Sequence, residues 1–248
     1  MKTAKFLMAL TTSAAAISAG AAHAQSSVEE EAGGLETIVV TAQKKSEELQ
    51  DVAISITAFD EAALDARRIE GFEDLAQFTP GLYAVPNAAD SNGLRFTIRG
   101  VGVTDPQLGL DSKVALYVDG IYIGKTPGLA FDSPDIARVE VLKGPQGTLY
   151  GRNAVAGAIN IIPARPEGGE FFGNASAEYG RFNEQRVDGA VNVPFGENGG
   201  MRVSGSYSKR DGWVKNDGLG KDLSGYERFG GRIALGADVT PDLRIDVA

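Results

Sequence analysis

From Glu170 to the last residue, apolar and polar positions alternate one by one. Ala175, Ala177 and Tyr179 interleave with Asn174, Ser176 and Glu178. Val187, Gly189, Val191 and Val193 interleave with Arg186, Asp188, Ala190 and Asn192. Met201, Val203, Gly205 and Tyr207 oppose Arg202, Ser204, Ser206 and Ser208, and Phe229, Ile233, Leu235 and Ala237 oppose Arg228, Arg232, Ala234 and Asp238. Leu243, Ile245 and Val247 begin a fifth run. A period of two predicts strands with one apolar face. The connections differ: Pro194 to Gly200 is short, whereas Asp211 to Tyr226 is long, polar and glycine-rich. Runs of about ten residues with short turns at one end and long loops at the other suit an outer-membrane barrel. A soluble antiparallel sandwich alternates in the same way.

Upstream the texture is different. VAISITAF at 52–59 is rich in β-branched residues and predicts a strand. Asp60 is placed to cap a helix running through Arg68. Phe72, Leu75, Ala76 and Phe78 predict a second short helix, stopped by Thr79-Pro80-Gly81. LRFTIRGV at 94–101, VALYVDGIYIG at 114–124, ARVEVLKG at 137–144 and AGAINII at 156–162 read as strands. PQGTLYG at 145–151 reads as a turn-rich loop and 163–169 as a linker. Residues 43–166 thus form one α+β module. Met1 to Ala24 carries Lys2 and Lys5, an apolar stretch and the triplet Ala22-His23-Ala24, the pattern of a secretory signal peptide. The polar, acidic 25–34 stretch is too hydrophilic to pack.

Composition narrows the chemistry. With 33 acidic and 24 basic side chains the formal charge is −9, and removal of Lys2 and Lys5 makes it −11. No nucleic-acid partner is expected, because a phosphate-binding face needs clustered Lys and Arg. There is no cysteine, and the one histidine, His23, falls in the signal peptide. Thiol nucleophiles, Ser-His-Asp triads and ordinary zinc sites are thereby excluded from the processed chain. No cofactor, metal or catalytic residue is expected. DGIYIGKT at 119–126 nearly matches a phosphate loop, but Asp119 stands where glycine is required and a strand precedes it. Gly100 and Gly102 lack the third glycine of a dinucleotide fingerprint. Asp132 and Asp135 read as turn or cap residues.

VALYVDGIYIG, then DIARVEVLKGPQGTLYGRNAVAGAINII, then ARP, closely resemble the plug domain of TonB-dependent outer-membrane receptors. FEDLAQFTPGL at 72–82 and FTIRGVG at 96–102 match two further plug motifs in order, and ETIVVTA at 36–42 resembles the family's energy-coupling box. Pro163 departs from the Thr or Ser usual after the NII stretch, so an irregular exit from the module is expected there. Glycines 100, 120, 144, 147, 151 and 157 are expected to supply turns with positive φ.

The resemblance implies a fold class of signal peptide (1–24), flexible tail with coupling box (25–42), α+β plug (43–166) and about five antiparallel transmembrane strands (170–248) of an incomplete barrel. Such barrels close with about 22 strands. It implies energised uptake of a scarce ligand, most often a ferric siderophore, with cobalamin, carbohydrate or aromatic importers as alternatives. The implied partner is a TonB-type periplasmic energy-coupling protein, grasping Glu36, Thr37, Ile38, Val39, Val40 and Thr41. Arg99, Glu140 and Lys143, charges set in buried-looking strands, are expected to form a plug ion cluster facing the barrel wall. Ligand contact is expected from outward loops carrying Asn87 and Asn92, Asp105 and Gln107, and Lys125 and Phe131. The short tail before Glu36 is expected to leave no room for a signalling domain. Two other classes stay open: a non-transporting soluble plug fragment, and an exported carboxylate-dependent hydrolase on a sandwich.

Overall fold

The computed structural model describes residues 38–69, 71–87, 90–103, 111–124, 135–216, 218 and 222–248. The expected signal peptide and acidic tail lie outside them.

Two short strands, β1 (Val39–Val40) and β2 (Glu47–Glu48), pair antiparallel at the start. Strand β3 (Ile56–Asp60) runs straight into α1 (Glu61–Ala66), because the Asp60 carboxylate accepts the Ala63 N–H at 2.8 Å. Helix α2 (Phe72–Phe78) follows and stops before Pro80. Then come β4 (Leu82–Asn87), β5 (Asp90–Ile98) and β6 (Val101–Gly102), which form a three-stranded sheet in that order. Next are β7 (Val114–Val118), β8 (Ile121–Ile123), β9 (Ile136–Lys143), the one-turn helix α3 (Gly147–Tyr150) and β10 (Gly157–Pro163).

The central sheet has the order β3-β9-β10-β7-β8, with β10 parallel to β7 and its other neighbours antiparallel. Both faces are covered, which is why its strands read as continuous apolar runs. One face buries Phe59, Val139, Val141 and Ile159 with the α1 and α2 side chains Leu64, Phe72 and Leu75. The other buries Leu142, Ala158 and Ala115 beneath Tyr117, Tyr150 and the N-terminal residues Val40 and Ala42. Phe72 and Phe96 meet edge to face, with ring centroids 4.9 Å apart.

Two hairpins turn on dipeptides with positive φ at both positions, Arg99-Gly100 (52° and 79°) and Asp119-Gly120 (51° and 77°). This is the two-residue turn that matches strand twist. The described part of the near phosphate loop, 119–124, therefore lies in a hairpin.

The structure departs from the sequence pattern in several places: the helix capped by Asp60 ends at Ala66 instead of Arg68, and the 94–101 and 114–124 runs are each broken by a hairpin turn. The 52–59 strand begins at Ile56 and ends at Asp60. Strand β4 was not foreseen, since Pro86 argues against a strand; it is tolerated because β4 is an edge strand. The 145–151 loop contains α3, so Gly147 opens a helix and has no positive φ. Pro163 is the last residue of β10, and the ladder slips between Ile162 and Pro163, where the irregular exit was expected.

Five strands complete the chain: β11 (Phe172–Gly180), β12 (Glu184–Pro194), β13 (Gly199–Arg210), β14 (Tyr226–Thr240) and β15 (Leu243–Val247). They form one antiparallel meander in sequence order, with β11 and β15 as open edges. Its faces are inverted relative to a soluble sheet. Val187, Val203, Phe229, Ile233, Leu235 and Ile245 point away from the rest of the molecule and are exposed, Phe229 by 88%. Asn192, Arg202, Ser204 and Ser208 lie on the other face and are buried. Apolar outward and polar inward is what a wall between lipid and an aqueous lumen requires. Among the described residues no helix is long and apolar enough to cross a membrane.

Candidate functional site

The inner face of the five-stranded wall carries arginines, and they meet the α+β module through its turns. Arg202, on β13, donates from Nε and Nη2 to both carboxylate oxygens of Asp135, at 2.5 and 2.6 Å. The two side chains are 7% and 3% exposed, so this bidentate pair is shielded from water. Its guanidinium also lies 5.3 Å from the Phe172 ring centre. Asp135 immediately precedes β9 and holds φ at 70°, a conformation that Asp tolerates better than most residues. Arg232, on β14, donates to the Ala164 carbonyl and to the Asp119 carboxylate, each at 3.0 Å. Arg244, on β15, reaches the Pro166 carbonyl at 2.5 Å. Asn192, fully buried on β12, accepts from the Glu167 N–H at 2.9 Å and donates to the Glu167 and Glu170 carbonyls. The segment linking module to wall is thus tied down by side chains of the wall itself.

Beside this contact lies a cavity of about 510 Å³ between α1 and strands β11–β13, lined by Glu61, Asp65 and Asp135 opposite Ser176, Asp188 and Ser206. Burial pushes the Glu61 carboxyl above its ordinary range, the negative charges of Asp135 and Asp65 push the same way, and Arg202 opposes them.

The N-terminal segment is held by a second buried network. Glu140, central in β9 between β3 and β10, is fully buried. One carboxylate oxygen accepts from the Thr41 N–H (2.8 Å), the Thr41 hydroxyl (3.2 Å) and Arg138 Nε (2.8 Å). The other accepts from Asn160 Nδ2 at 3.3 Å. Arg138 Nη2 donates to the Thr41 hydroxyl at 3.0 Å, closing the ring. Next along the chain, the Tyr150 hydroxyl donates to the Ala42 carbonyl at 2.9 Å, and Lys44 sits over the Tyr117 and Tyr150 rings. Burial, reinforced by the Glu140 charge and by Tyr117, pushes the Tyr150 hydroxyl up to about 12.

These placements can be set against the expected sites. Of the expected coupling segment, Glu36 and Thr37 lie outside the described residues. Ile38 packs against the second core cluster, Val39 is half exposed, Val40 is fully buried and Thr41 is bound to Glu140. The expected ion cluster does not form as one group. Arg99 is exposed in a turn and not embedded in a strand, because the Arg99-Gly100 hairpin interrupts the apolar pattern. Lys143 lies near Arg99, and burial and then the Arg99 charge push its amine below its ordinary range. Glu140 pairs instead with Arg138. Asn87 ends β4 opposite Asp90, and Asn92 lies inside β5, so both expected loop residues belong to paired strands. Asp105, Gln107, Lys125 and Phe131 lie outside the described residues. The module–wall contacts of Asp119, Asp135, Arg202 and Arg232 were missed by sequence reasoning. The available signal was phase: Arg202, Arg228, Arg232 and Arg244 all occupy the inward positions of their strands.

Comparison with known proteins agrees with this arrangement. Residues 48–158 match the family model of the TonB-dependent receptor plug domain. The chain is 27% identical over 198 residues to the vitamin B12 transporter BtuB of Vibrio vulnificus strain CMCP6, covering 77% of this chain and 31% of that protein. It is 35% identical over 152 residues to the pesticin receptor of Yersinia pestis, covering 59% of this chain and 21% of the relative. The crystal structure of the ferric yersiniabactin uptake receptor FyuA from Yersinia pestis superimposes with a TM-score of 0.61 at 26% identity, over 74% of this chain and 29% of that one. The chain therefore spans less than a third of the length of these relatives. They are receptors and transporters, not enzymes. Residues 48–158 are thus a plug domain of the TonB-dependent receptor kind, and the chain that carries it, with an arginine of an inverted-polarity wall gripping a buried aspartate of the module, is similar to TonB-dependent receptors over most of its length.

Proposed function

We propose that this chain forms the plug and the first barrel strands of an outer-membrane receptor for energised uptake of a scarce ligand, a ferric siderophore in the leading reading. The observation that carries this is the wall. Its odd-numbered positions form an apolar outer face, with Tyr207 directly opposite Phe229 near the long-loop end, as in the aromatic girdle of a membrane barrel. Its even-numbered positions bind the plug. Five strands leave two unpaired edges, which hydrocarbon does not tolerate, so further strands must close the barrel. The protein would be exported by its signal peptide, reside in the outer membrane and perform no chemistry on its ligand.

In this reading the segment from Glu36 to Thr41 couples the plug to an energised periplasmic partner. A short β-branched strand is suited to adding itself to an exposed sheet edge of that partner. Arg99 and Lys143, brought together on the plug, would face carboxylates of barrel strands beyond these five. Siderophore import is supported by the likeness to FyuA, named for ferric yersiniabactin uptake. A corrinoid is the second reading, supported by the likeness to BtuB across most of the chain. Uptake of iron-55 as a panel of ferric siderophores, and of labelled cobalamin, into cells expressing the complete receptor tests both. Siderophore uptake abolished by a protonophore is expected. Cobalamin uptake alone selects the second reading, and uptake of neither overturns the assignment of ligand class.

A further inference from the structure

We propose that the Glu140 carboxylate is a latch: it fastens the coupling segment at Thr41 to strand β9, which is itself fixed to the barrel wall through Asp135 and Arg202. This rests on the reading of residues 36–41 as the coupling segment and adds where a pull on that segment is carried. The geometry forms one continuous line. Thr41 gives both its N–H and its hydroxyl to Glu140, at 2.8 and 3.2 Å. Glu140 lies in the middle of β9, flanked by β3 and β10, so its backbone cannot shift alone. Asp135 precedes the first residue of that strand and is held by two hydrogen bonds from Arg202 of the wall.

The latch is built to release at a defined point. On the N-terminal side the backbone pairing is short: β1 has two residues and pairs with the two-residue β2, Val39 is half exposed, and the hold there comes from Val40 and Ile38 packed on the second core cluster. On the C-terminal side Ala42 is fully buried and its carbonyl accepts from Tyr150. Thr41 is the boundary between a strippable strand and a packed anchor. Glu140 is also costly to leave alone. A fully buried carboxylate that loses two of its four donors is left partly unsatisfied, which costs desolvation energy and favours re-docking of the segment when tension stops. Arg138 stays with Glu140 after Thr41 departs, because its Nε bond is independent of the segment. Glu140 acts through Thr41 and touches no ligand; it is a positioning residue.

The chain has no cysteine, so a single reporter at the buried Val40 is unique within it. The test uses the complete receptor carrying Val40→Cys, purified without any energy-coupling partner and exposed to a maleimide. A second single-cysteine receptor, Ile159→Cys in β10, reports on the plug core, since Ile159 is likewise fully buried. In the Glu140→Gln background, labelling at position 40 is expected to accelerate at least tenfold while position 159 stays protected. Thr41→Val, which removes the hydroxyl but keeps the backbone bond and the side-chain shape, should produce a smaller acceleration in the same direction. Unchanged labelling at position 40 in both backgrounds overturns the latch. Equal acceleration at positions 40 and 159 also overturns it, because Glu140 would then be holding the plug core together. The readout needs neither ligand nor energy. If wild-type receptor imports nothing, the functional reading fails while the labelling result stands.

Discussion

Asp135→Asn in the complete receptor is the sharpest perturbation of the plug–wall contact. Asparagine tolerates the positive φ of this position, so backbone strain is not added. What changes is charge: Arg202 stays buried, facing one carbonyl oxygen where it had two anionic ones. Removing one member of a buried pair costs about 3–5 kcal/mol. Two features lower that figure. The Phe172 ring remains 5.3 Å from the guanidinium and retains about 1 kcal/mol of cation–π attraction. The neighbouring cavity admits water, and the amide keeps one hydrogen bond, so about 2–3 kcal/mol is the expected loss for Asp135→Asn. Arg202→Met should cost more, about 3–5 kcal/mol, since it strands an anion. The double variant should recover about 2 kcal/mol of the summed single losses. Native-state hydrogen exchange of the β9 and β10 amides measures this, and 2–3 kcal/mol appears as exchange faster by roughly 30- to 150-fold. Additive single effects, or a loss under about 0.5 kcal/mol for either variant, would refute the view that this pair pins the plug.

Three further outcomes follow from the same structure. Gly157→Ala would place a methyl 2.2 Å from the Leu142 carbonyl oxygen and 2.9 Å from Ile98 Cδ1, so β9 and β10 must part; folded receptor in the outer membrane should fall several-fold on immunoblots. Glu61→Gln should raise the plug's unfolding temperature at pH 7, because a raised carboxyl pKa means the ionised form is penalised when folded. That gain should shrink as pH falls through the raised pKa and be absent below the ordinary value near 4.5, where both states are protonated; a pH-independent gain would contradict it. Val40→Pro should lower uptake and receptor abundance together, because Val40 is both ladder residue and core residue, whereas Val39→Ala should leave abundance normal; paired uptake and surface-binding assays separate them.

Much of this architecture was legible before any coordinates. The five wall strands follow from strict alternation, and the arginines on the inward phase already carried the plug contacts, although nothing in the pattern says which turn each one meets. Asp135 illustrates the limit. An aspartate after Pro134 reads as a turn residue, and only the folded chain brings Arg202, 67 positions away, onto its carboxylate. Glu140 shows the converse: its buried position was evident from VEVLKG, but its partner was not, because Arg138 two residues along the same strand shares its face and competes with the more distant Arg99. Strand β4 was hidden by Pro86, since a local rule against proline in strands does not know which strand is an edge.

The central claim is that the five strands separate lipid from a plug. Single cysteines at Val203, Phe229 and Ile233 on the outer phase, and at Ser204, Ser206 and Gly230 on the inner phase, can carry nitroxide labels in the complete receptor reconstituted in bilayers. Collision with dissolved oxygen should then dominate at the three odd-numbered positions, and collision with a water-soluble nickel chelate should be low there. The inner three should be shielded from oxygen and motionally restricted. Odd positions open to the nickel chelate, or no alternation between the two phases, would contradict the account and make the five strands a soluble sheet.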